Sequence, residues 1–295
     1  MGNKHFGNLA DVFKHLALAE MIANLRPTEY WESHAGAACY PEIADIPAER
    51  VHGIHAFHRL VPTKDALRLS AYARVLGDPN TPLTTIPGSP LLARKLIDGN
   101  VRRLLLCDTD ANSLLNIRDH FKKVEPGAKE LGADTLECVQ DDGVSVLRGA
   151  GMTQPQQWLA STIAFLDPYD LHAVTAAGIS SLMLACELAN RGIVVVAFYG
   201  FKDDAERAWQ KKTITQTLES ARLLNRGTAR FEGFMANAAA PTQFGFGLLA
   251  FNIPSNIQAM VHTKLLALQN VYERSEITAP AGNIPGNWQY NYATF

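Results

Sequence analysis

The fold is indicated most directly by Thr162-Ile163-Ala164-Phe165-Leu166, a nearly continuous apolar run that ends at Asp167. Such a run is typical of a parallel strand that is covered on both faces by helices. A helical pattern follows over residues 173–190 and stops at Gly192, and residues 193–198 form the next apolar run. A strand, a helix and a second strand in this order predict a right-handed crossover unit within a doubly wound α/β sheet.

The same alternation extends through most of the chain in both directions. Predicted strands cover residues 30–33, 104–107, 135–139, 162–166, 193–198, 229–235 and 246–251, and predicted helices cover residues 11–25, 111–121, 173–190, 203–224 and 255–268. The tail from Thr278 onward, which is rich in Pro, Gly and Asn, is predicted to be irregular. We therefore expect a single α/β domain over residues 1–295.

One segment is too long for a simple connection. Nearly seventy residues separate the turn at Gly36 from the strand at Leu104, whereas a complete strand–helix–strand unit needs only about 30 residues. Helical patterns occupy parts of this segment, around residues 48–60 and 64–76. The sequence therefore predicts a helical insertion after the first strand, over about 40–85, that covers the carboxyl edge of the sheet.

Composition and charge exclude several classes of protein. Of the 295 residues, 47% are apolar and 19% are charged, as in ordinary globular proteins and unlike disordered chains. The net charge of −2 argues against a protein that coats nucleic acid nonspecifically. No apolar run reaches the roughly 20 residues of a membrane helix, and no signal peptide is evident. We expect a soluble, cytoplasmic protein whose four cysteines are free thiols and which binds no metal.

Polar residues follow the predicted strands at the points where each strand ends. They are His34 and Gly36, Asp108, Asp142 and Gly143, Asp167 with Pro168 and Tyr169, and Tyr199 with Gly200. In an open α/β sheet, ligands bind in the crevice beyond the carboxyl ends of the strands, and an acid at the second strand suits the two hydroxyls of a ribose. Each aspartate taken alone could instead cap the following helix.

The missing glycine motifs restrict the cofactor. The turn from His34 to Cys39 has one glycine where a dinucleotide-binding fingerprint has three, and no phosphate-binding loop of the nucleotide triphosphatases is present. A cofactor without a pyrophosphate needs no glycine-rich cradle. S-adenosylmethionine (AdoMet) is such a cofactor.

Three blocks carry a resemblance to a known family. They are Gly7-Asn8-Leu-Ala-Asp11-Val-Phe-Lys14-His15, His34-Ala-Gly-Ala37 and Pro87-Gly88-Ser89-Pro90. In order and spacing they resemble the RlmJ family (DUF519-like), bacterial enzymes that use AdoMet to methylate N6 of an adenine in 23S ribosomal RNA. The resemblance extends from residue 7 to about 253. It implies a class I methyltransferase fold, for which we predict a Rossmann-like, seven-stranded sheet with one antiparallel edge strand.

The resemblance also implies roles for individual residues. His15 and His34 would lie near the methionine part of AdoMet, and Ser89 would contact it. Asp108 would bind the ribose, and Asp142 and Gly143 would lie near the adenine ring. Asp167 would line the cofactor site and would also be the catalytic acid of an Asp-Pro-Pro-Tyr motif. In such a site Asp167 and a proline carbonyl can accept the two hydrogens of the target amine, so that its lone pair faces the methyl group. S-adenosylhomocysteine would be the product.

The catalytic motif departs from the family pattern. It reads Asp167-Pro168-Tyr169-Asp170, so the second proline is missing and the tyrosine comes one position early. We predict Asp167, Pro168 and Tyr169 as catalytic residues. The ring that stacks on an extruded base could be Tyr169 or an aromatic residue of the next strand end, of which we select Tyr199 for the substrate site.

Basic residues around the insertion suggest a contact for RNA phosphates. Between Arg50 and Arg74 there are five basic residues and one acid, with three histidines among them. A solvated helix face is an equally good explanation, and a metal at these histidines is improbable because no acidic or thiol ligand accompanies them. We assign Lys14, Arg59 and Lys64 to the substrate site, with help from Lys4, Arg94, Lys95, Arg102 and Arg103.

We therefore predict a monomeric methyltransferase acting on ribosomal RNA that is protein-free or an early precursor. Two alternatives stay open. One is a methyltransferase of DNA adenine or of another amine. The other, suggested by the altered motif, is a non-catalytic protein that kept the fold and binds RNA or another partner.

Overall fold

The computed structural model describes residues 6–61, 65–97, 101–122, 135–176, 178–224, 226–235, 245–274 and 288–295. Over these ranges the chain is a mixed α/β protein with a large, mostly parallel central sheet between two layers of helices. The α/β architecture predicted from the alternating apolar runs is confirmed. None of the described helices combines the length and apolar character needed to cross a bilayer.

The strands are short, and those in the middle of the main sheet are buried. In chain order they are β1 (Glu29–Glu32), β2 (Cys39–Pro41), β3 (Thr85–Pro87), β4 (Arg103–Cys107), β5 (Leu136–Val139), β6 (Thr162–Leu166), β7 (Val194–Phe201), β8 (Ala229–Met235), β9 (Gly245–Phe251) and β10 (Trp288–Thr294). Within the described residues, eight strands form the main sheet in the order β10-β8-β9-β7-β6-β1-β4-β5. The five strands from β7 to β5 are parallel, and β2 pairs separately with β3.

The arrangement of the last three strands corrects the sequence prediction. We expected seven strands with one antiparallel edge strand, but the described part of the sheet has eight. The antiparallel strand β9 lies inside the sheet between β7 and β8, and β10, from the tail predicted to be irregular, pairs antiparallel with β8. Polar residues alternate along β10 with Tyr290 and Tyr292, and the ring of Tyr292 stacks on Phe231 at 5.2 Å between centroids. This alternation is typical of an edge strand that is buried on one face.

The helices cover both faces of the sheet. They are α1 (Leu9–Leu25), α2 (Ala48–Arg50), α3 (Ala56–Leu60), α4 (Asp65–Arg68), α5 (Ala71–Leu76), α6 (Ser89–Leu96), α7 (Ala111–Lys122), α8 (Gly143–Thr153), α9 (Gln156–Leu159), α10 (Ser181–Asn190), α11 (Asp204–Ser220) and α12 (Ser255–Arg274), and a π-helical turn, Val51–His55, joins α2 to α3. One face packs on α1, α7 and α12, and the other on α8, α10 and α11.

The helix predicted over 173–190 begins later than expected. The observed α10 starts at Ser181, where the Ser180 hydroxyl accepts from the Met183 amide. The chain before it forms a tight hairpin in which the Thr175 amide bonds to the Ile179 carbonyl. Residues 168–176 and 178–180 are therefore a long connection at the carboxyl end of β6, directly after Asp167.

The insertion is attached to the first and last helices. Its base is the antiparallel pair of β2 and β3, and its helices run from α2 to α5. The Ala71 amide at the start of α5 donates to the Glu20 carboxylate of α1 at 2.6 Å. The Tyr272 hydroxyl of α12 donates to the Gly53 carbonyl at 2.9 Å. These contacts hold the insertion against the layer that contains α1.

Gly143 brings the start of α8 against the end of β1. A Cβ atom at this position would lie 1.9 Å from the Ser33 carbonyl oxygen, so the backbone would have to move. We expect Gly143→Ala to lower the free energy of unfolding by about 1–3 kcal/mol. Gly149→Ala, in the same helix with no atom within 4 Å of the added Cβ, should instead raise it by about 0.5–1 kcal/mol. Urea unfolding measures both, and equal effects would contradict the close contact.

Candidate active site

The predicted site residues gather where the parallel strands end. Glu32, the last residue of β1, is level with Leu106 of β4 and Phe165 of β6, so the residues after these three strands emerge at one edge. The imidazole of His34 lies within electrostatic range of the carboxylates of Asp108, Asp142 and Asp167. The structure therefore brings the acids that follow β4, β5 and β6 to one region of this edge.

A buried lysine links α1 to the acid that follows β6. The Lys14 ammonium is 2.7 Å from Oδ2 of Asp167 and 2.8 Å from Oδ1 of Asp11. The other Asp11 oxygen accepts from the Gly7 amide at 2.6 Å, and the Lys14 ammonium lies 5.0 Å from the centre of the Phe198 ring. Burial works against the charge of Lys14, but the carboxylates of Asp11 and Asp167 outweigh it and raise the pKa of Lys14. Lys14 is a fixed cation within the site.

This placement corrects the role predicted for Lys14. The side chain is only 9% exposed and is paired with two carboxylates, so it does not present its charge to RNA phosphates. In Asp11, burial opposes ionisation, but the charge of Lys14 and the hydrogen bonds hold the pKa below its ordinary value.

Glu32 is a site residue that the sequence analysis missed. It is fully buried, and it accepts hydrogen bonds from the hydroxyls of Ser89 and Tyr30. Burial raises the pKa of Glu32 well above its ordinary value, and the charge of Asp167 adds to this effect. The signal in the sequence was an acid inside a predicted apolar strand, one position before the predicted end. Ser89, which was predicted to contact the cofactor, uses its hydroxyl hydrogen on Glu32.

The two predicted histidines occupy different environments. Burial, with a contribution from the Lys14 charge, lowers the pKa of His15 to about 3, so the ring is neutral at neutral pH. Its Nδ1 atom has no hydrogen-bond partner among the described residues. His34 places its Nδ1 atom 2.7 Å from the Ser33 hydroxyl, and burial lowers its pKa although three nearby carboxylates oppose this shift.

Asp108 and Asp142 differ in what they bind. Oδ2 of Asp108 accepts from the Gly36 amide at 2.8 Å, and Oδ1 accepts from the Asp110 amide at 2.8 Å. Asp110, not Asp108, bonds to the first turn of α7, through the Ser113 hydroxyl. Asp142 caps α8, since its carboxylate accepts from the Val144 amide and the Ser145 hydroxyl. These bonds lower the pKa of Asp142, although burial opposes them.

A cavity at this edge is lined by residues of all three sequence blocks. Its walls include Gly7, Asp11, Lys14, His15, His34, Gly36, Gly88, Ser89 and Asp167. Asp108, Asp142 and Gly143, which were predicted to bind the cofactor, are not among the lining residues. The carboxylates of Asp108 and Asp142 are close enough to act electrostatically on His34, which does line the cavity. The described residues contain no group of three or more His, Cys, Asp or Glu side chains suited to a metal ion.

Of the two tyrosines predicted to act near Asp167, Tyr199 is not placed as predicted. Pro168 is buried, and the Tyr169 side chain is fully exposed. Tyr199 was predicted to bind substrate, but it is 1% exposed and donates to the Glu232 carboxylate at 2.7 Å. It lies in the core on the face of α10 and α11, because alternate residues of β7 point to opposite faces. Phe198, which faces Lys14, is the ring of this strand that lies beside the site.

The predicted basic surface is only partly present. Arg59 is exposed on α3, and Lys64 lies outside the described residues. Arg50 is buried, with its guanidinium 3.5 Å from the centre of the Phe6 ring. Arg102 and Arg103 pair with Glu29 and Glu137 near the amino ends of the strands, so they cannot contact a ligand at the carboxyl edge.

Comparisons with known proteins give a likeness in fold. No protein-family model matches the sequence, and no curated protein matches it significantly. Among solved structures, protein LPL1258 from Legionella pneumophila, described as a DUF519 protein, aligns with a TM-score of 0.72 over 98% of each chain at 22% sequence identity. The fold is therefore shared with a DUF519 protein, in agreement with the DUF519-like part of the resemblance.

Proposed function

We propose that this protein is an AdoMet-dependent methyltransferase that methylates N6 of an adenine in 23S ribosomal RNA. The observation that carries the proposal is the Asp167 carboxylate at the end of β6, which Lys14 holds at 2.7 Å in the wall of the cavity. Lys14 occupies Oδ2, and among the described residues no donor is bonded to Oδ1. An acceptor held in this way is suited to bind one hydrogen of a substrate amine.

The residues around the cavity fit AdoMet in their chemistry. Carboxylates on three strand ends complement the positive charges of its ammonium and sulfonium groups. Asp108 fixes the tight turn at Gly36, where φ is +58°, and keeps acceptor capacity for ribose hydroxyls. His15 offers a buried ring nitrogen that no described residue satisfies. When bound, AdoMet supplies an electrophilic methyl group.

The chain's own residues would orient the amine and receive its proton. Asp167 accepts one hydrogen of the exocyclic amine, and the Pro168 carbonyl is the candidate for the other. The nitrogen lone pair is then directed at the methyl group. As the new C–N bond forms, the amine becomes acidic, and one proton leaves it along the hydrogen bond to Asp167 or to solvent. No strong base is needed, so the ion pair of Asp167 with Lys14 is compatible with this role.

A non-catalytic protein that binds RNA is the rival proposal, and the missing second proline of the motif favours it. Transfer of a labelled methyl group to protein-free ribosomal RNA separates the two, and mass-spectrometric nucleoside analysis of RNA from cells with and without the gene identifies the product. N6-methyladenosine that depends on the gene supports the methyltransferase. If the labelled methyl group is transferred to DNA and not to RNA, the DNA alternative is supported. If it is transferred to no nucleic acid, an enzyme of this type is contradicted.

We expect Asp108→Ala to weaken binding of S-adenosylhomocysteine by tenfold or more. The variant loses the proposed ribose acceptor and also releases the Gly36 amide, and each hydrogen bond to a charged group contributes about 1.5–3 kcal/mol. Isothermal titration calorimetry measures the affinity. Asp119→Ala is the control, because this aspartate lies on the exposed side of α7 with 55% of its side chain accessible. Equal affinities for the two variants would remove Asp108 from the cofactor site.

A further inference from the structure

A second cavity of about 500 Å³ lies near the edge of the sheet formed by β10 and β8, between these two strands and α11. Its walls are formed by Asp204, Arg207, Ala208, Lys211, Arg230, Glu232, Asn291, Tyr292 and Ala293. None of these residues belongs to the proposed methyl-transfer site, and the mechanism does not use them. The walls contain more cationic than anionic side chains, which calls for an explanation.

Arg230 is the most informative residue of this cavity. It is 7% exposed, and its Nη1 atom is buried without a hydrogen-bond partner among the described residues. Its Nε atom is 3.6 Å from the Glu232 carboxylate, so one side of the guanidinium is paired. A buried donor that lacks an acceptor is costly, and such a group in a cavity wall is a sign of a ligand that supplies the acceptor.

The other charges show which sign the ligand must have. Glu232 accepts from Tyr199 and pairs with Arg207 at 3.0 Å, so its negative charge is already shared by two arginines. Lys211 is exposed, and no carboxylate of the described residues forms an ion pair with it. The carboxylate of Asp204, which also lines the cavity, would repel an anionic ligand. Three cations against two carboxylates, with one donor unsatisfied, favour an anionic ligand.

We propose that this cavity binds a phosphate group through Arg230, Arg207 and Lys211. Nε and Nη2 of Arg207 both donate to Glu232, so the Nη1 atoms of Arg207 and Arg230 are the guanidinium donors left for phosphate oxygens. Lys211 adds a mobile point charge. Two sources of phosphate fit this chemistry, a small phosphate compound and the backbone of an RNA strand.

The RNA source rests on the proposed function. In the sheet β8 is three positions from β6, which corresponds to about 15 Å at the usual strand spacing. Arg207 is in the first turn of α11, which begins three residues after β7 ends at the carboxyl edge. A strand whose target base reaches Asp167 could therefore place a neighbouring phosphate in this cavity.

The test uses two probes and no AdoMet. Calorimetry measures the binding of inorganic pyrophosphate, and fluorescence anisotropy at several salt concentrations measures the binding of a single-stranded RNA of about 16 nucleotides. The variants are Lys211→Ala, Arg230→Gln and Asp204→Asn. Lys122→Ala on α7, a lysine with 76% of its side chain exposed, is the matched control. Lys211 and Asp204 are exposed, so their variants keep the test valid even if Arg230→Gln fails to fold.

We expect Lys211→Ala and Arg230→Gln to weaken binding about tenfold each, and Asp204→Asn to tighten it. For RNA, Lys211→Ala should also reduce the slope of log affinity against log salt concentration by about 0.7. If these changes in affinity are seen with pyrophosphate, the ligand is a small phosphate compound. If they are seen with RNA alone, the ligand is the phosphate backbone of an RNA strand. If neither probe distinguishes these variants from Lys122→Ala, the phosphate site is wrong. Since methyl transfer is measured separately, that failure leaves the proposed function untouched, and an inactive protein that binds phosphate here would contradict only the proposed function.

Discussion

Asp167→Ala should lower the rate of methyl transfer to protein-free ribosomal RNA by about a thousandfold or more. A loss of about 4 kcal/mol of transition-state stabilisation corresponds to this factor, and Asp167 is the acceptor that we assign to the target amine. The fold should survive, because Lys14 keeps its ion pair with Asp11 at 2.8 Å. The affinity for S-adenosylhomocysteine should change much less, since the residues that we assign to the ribose and the adenine follow other strands.

Two further variants make the Asp167 experiment specific. Asp167→Asn should keep part of the activity, because an amide oxygen can still accept a hydrogen from the amine. Asp170→Ala removes an exposed carboxylate three positions later in the same connection, where it accepts from the His172 amide, and should leave the rate nearly unchanged. If Asp167→Ala were as active as Asp170→Ala, Asp167 would have no catalytic role.

Lys14→Met should lower the free energy of unfolding by about 3–5 kcal/mol at pH 7.5. The substitution removes the shared partner of two largely buried carboxylates, Asp11 and Asp167, and uncompensated buried charges are costly. Methyl transfer should be lost as well, since Asp167 would no longer be held in place. Urea unfolding measures the stability.

The control for Lys14→Met is Lys122→Met, which changes a lysine with 76% of its side chain exposed and should shift stability by no more than about 0.5 kcal/mol. Lys14→Arg keeps the positive charge and should be less harmful than Lys14→Met. If Lys14→Met were as stable as the Lys122 variant, the buried ion pairs of Lys14 would contribute nothing to the fold.

The parts of the fold that the sequence predicted are those with an unambiguous local signal. Strands such as β6 and β7 are buried on both faces, so their residues must be apolar along the whole length. The edge strand β10 is only partly buried, on the face that carries Tyr290 and Tyr292. Its alternating polar residues resemble the turn-forming residues of the tail, so the sequence did not reveal it. The start of α10 was predicted too early because a hairpin closed by the Thr175 amide occupies the preceding residues.

The candidate site was predictable in its positions but less so in its contacts. Strand ends of a parallel sheet converge by topology, so Asp108, Asp142 and Asp167 could be identified from the apolar runs before them. Lys14 and Asp167 are 153 positions apart, and no local pattern shows that this lysine is buried between two acids. Lysine is mostly exposed in proteins, which is why the sequence analysis placed it on the RNA-binding surface. Burial of Tyr199 likewise depends on its pairing with Glu232 from a later strand.

The span of the contact between Lys14 and Asp167 also has a consequence for folding. Contacts between residues far apart in sequence require closure of a long loop, and chains rich in such contacts fold slowly. During synthesis, α1 leaves the ribosome long before β6 is made. Lys14 can therefore pair with Asp11 early but with Asp167 only later. The Asp167 carboxylate and the lysine that pairs with it can therefore meet only late in folding, after the insertion between them has been made. A nascent chain stopped before residue 167 would contain the lining residues of the cavity from Phe6 to Ser89 but would lack Asp167.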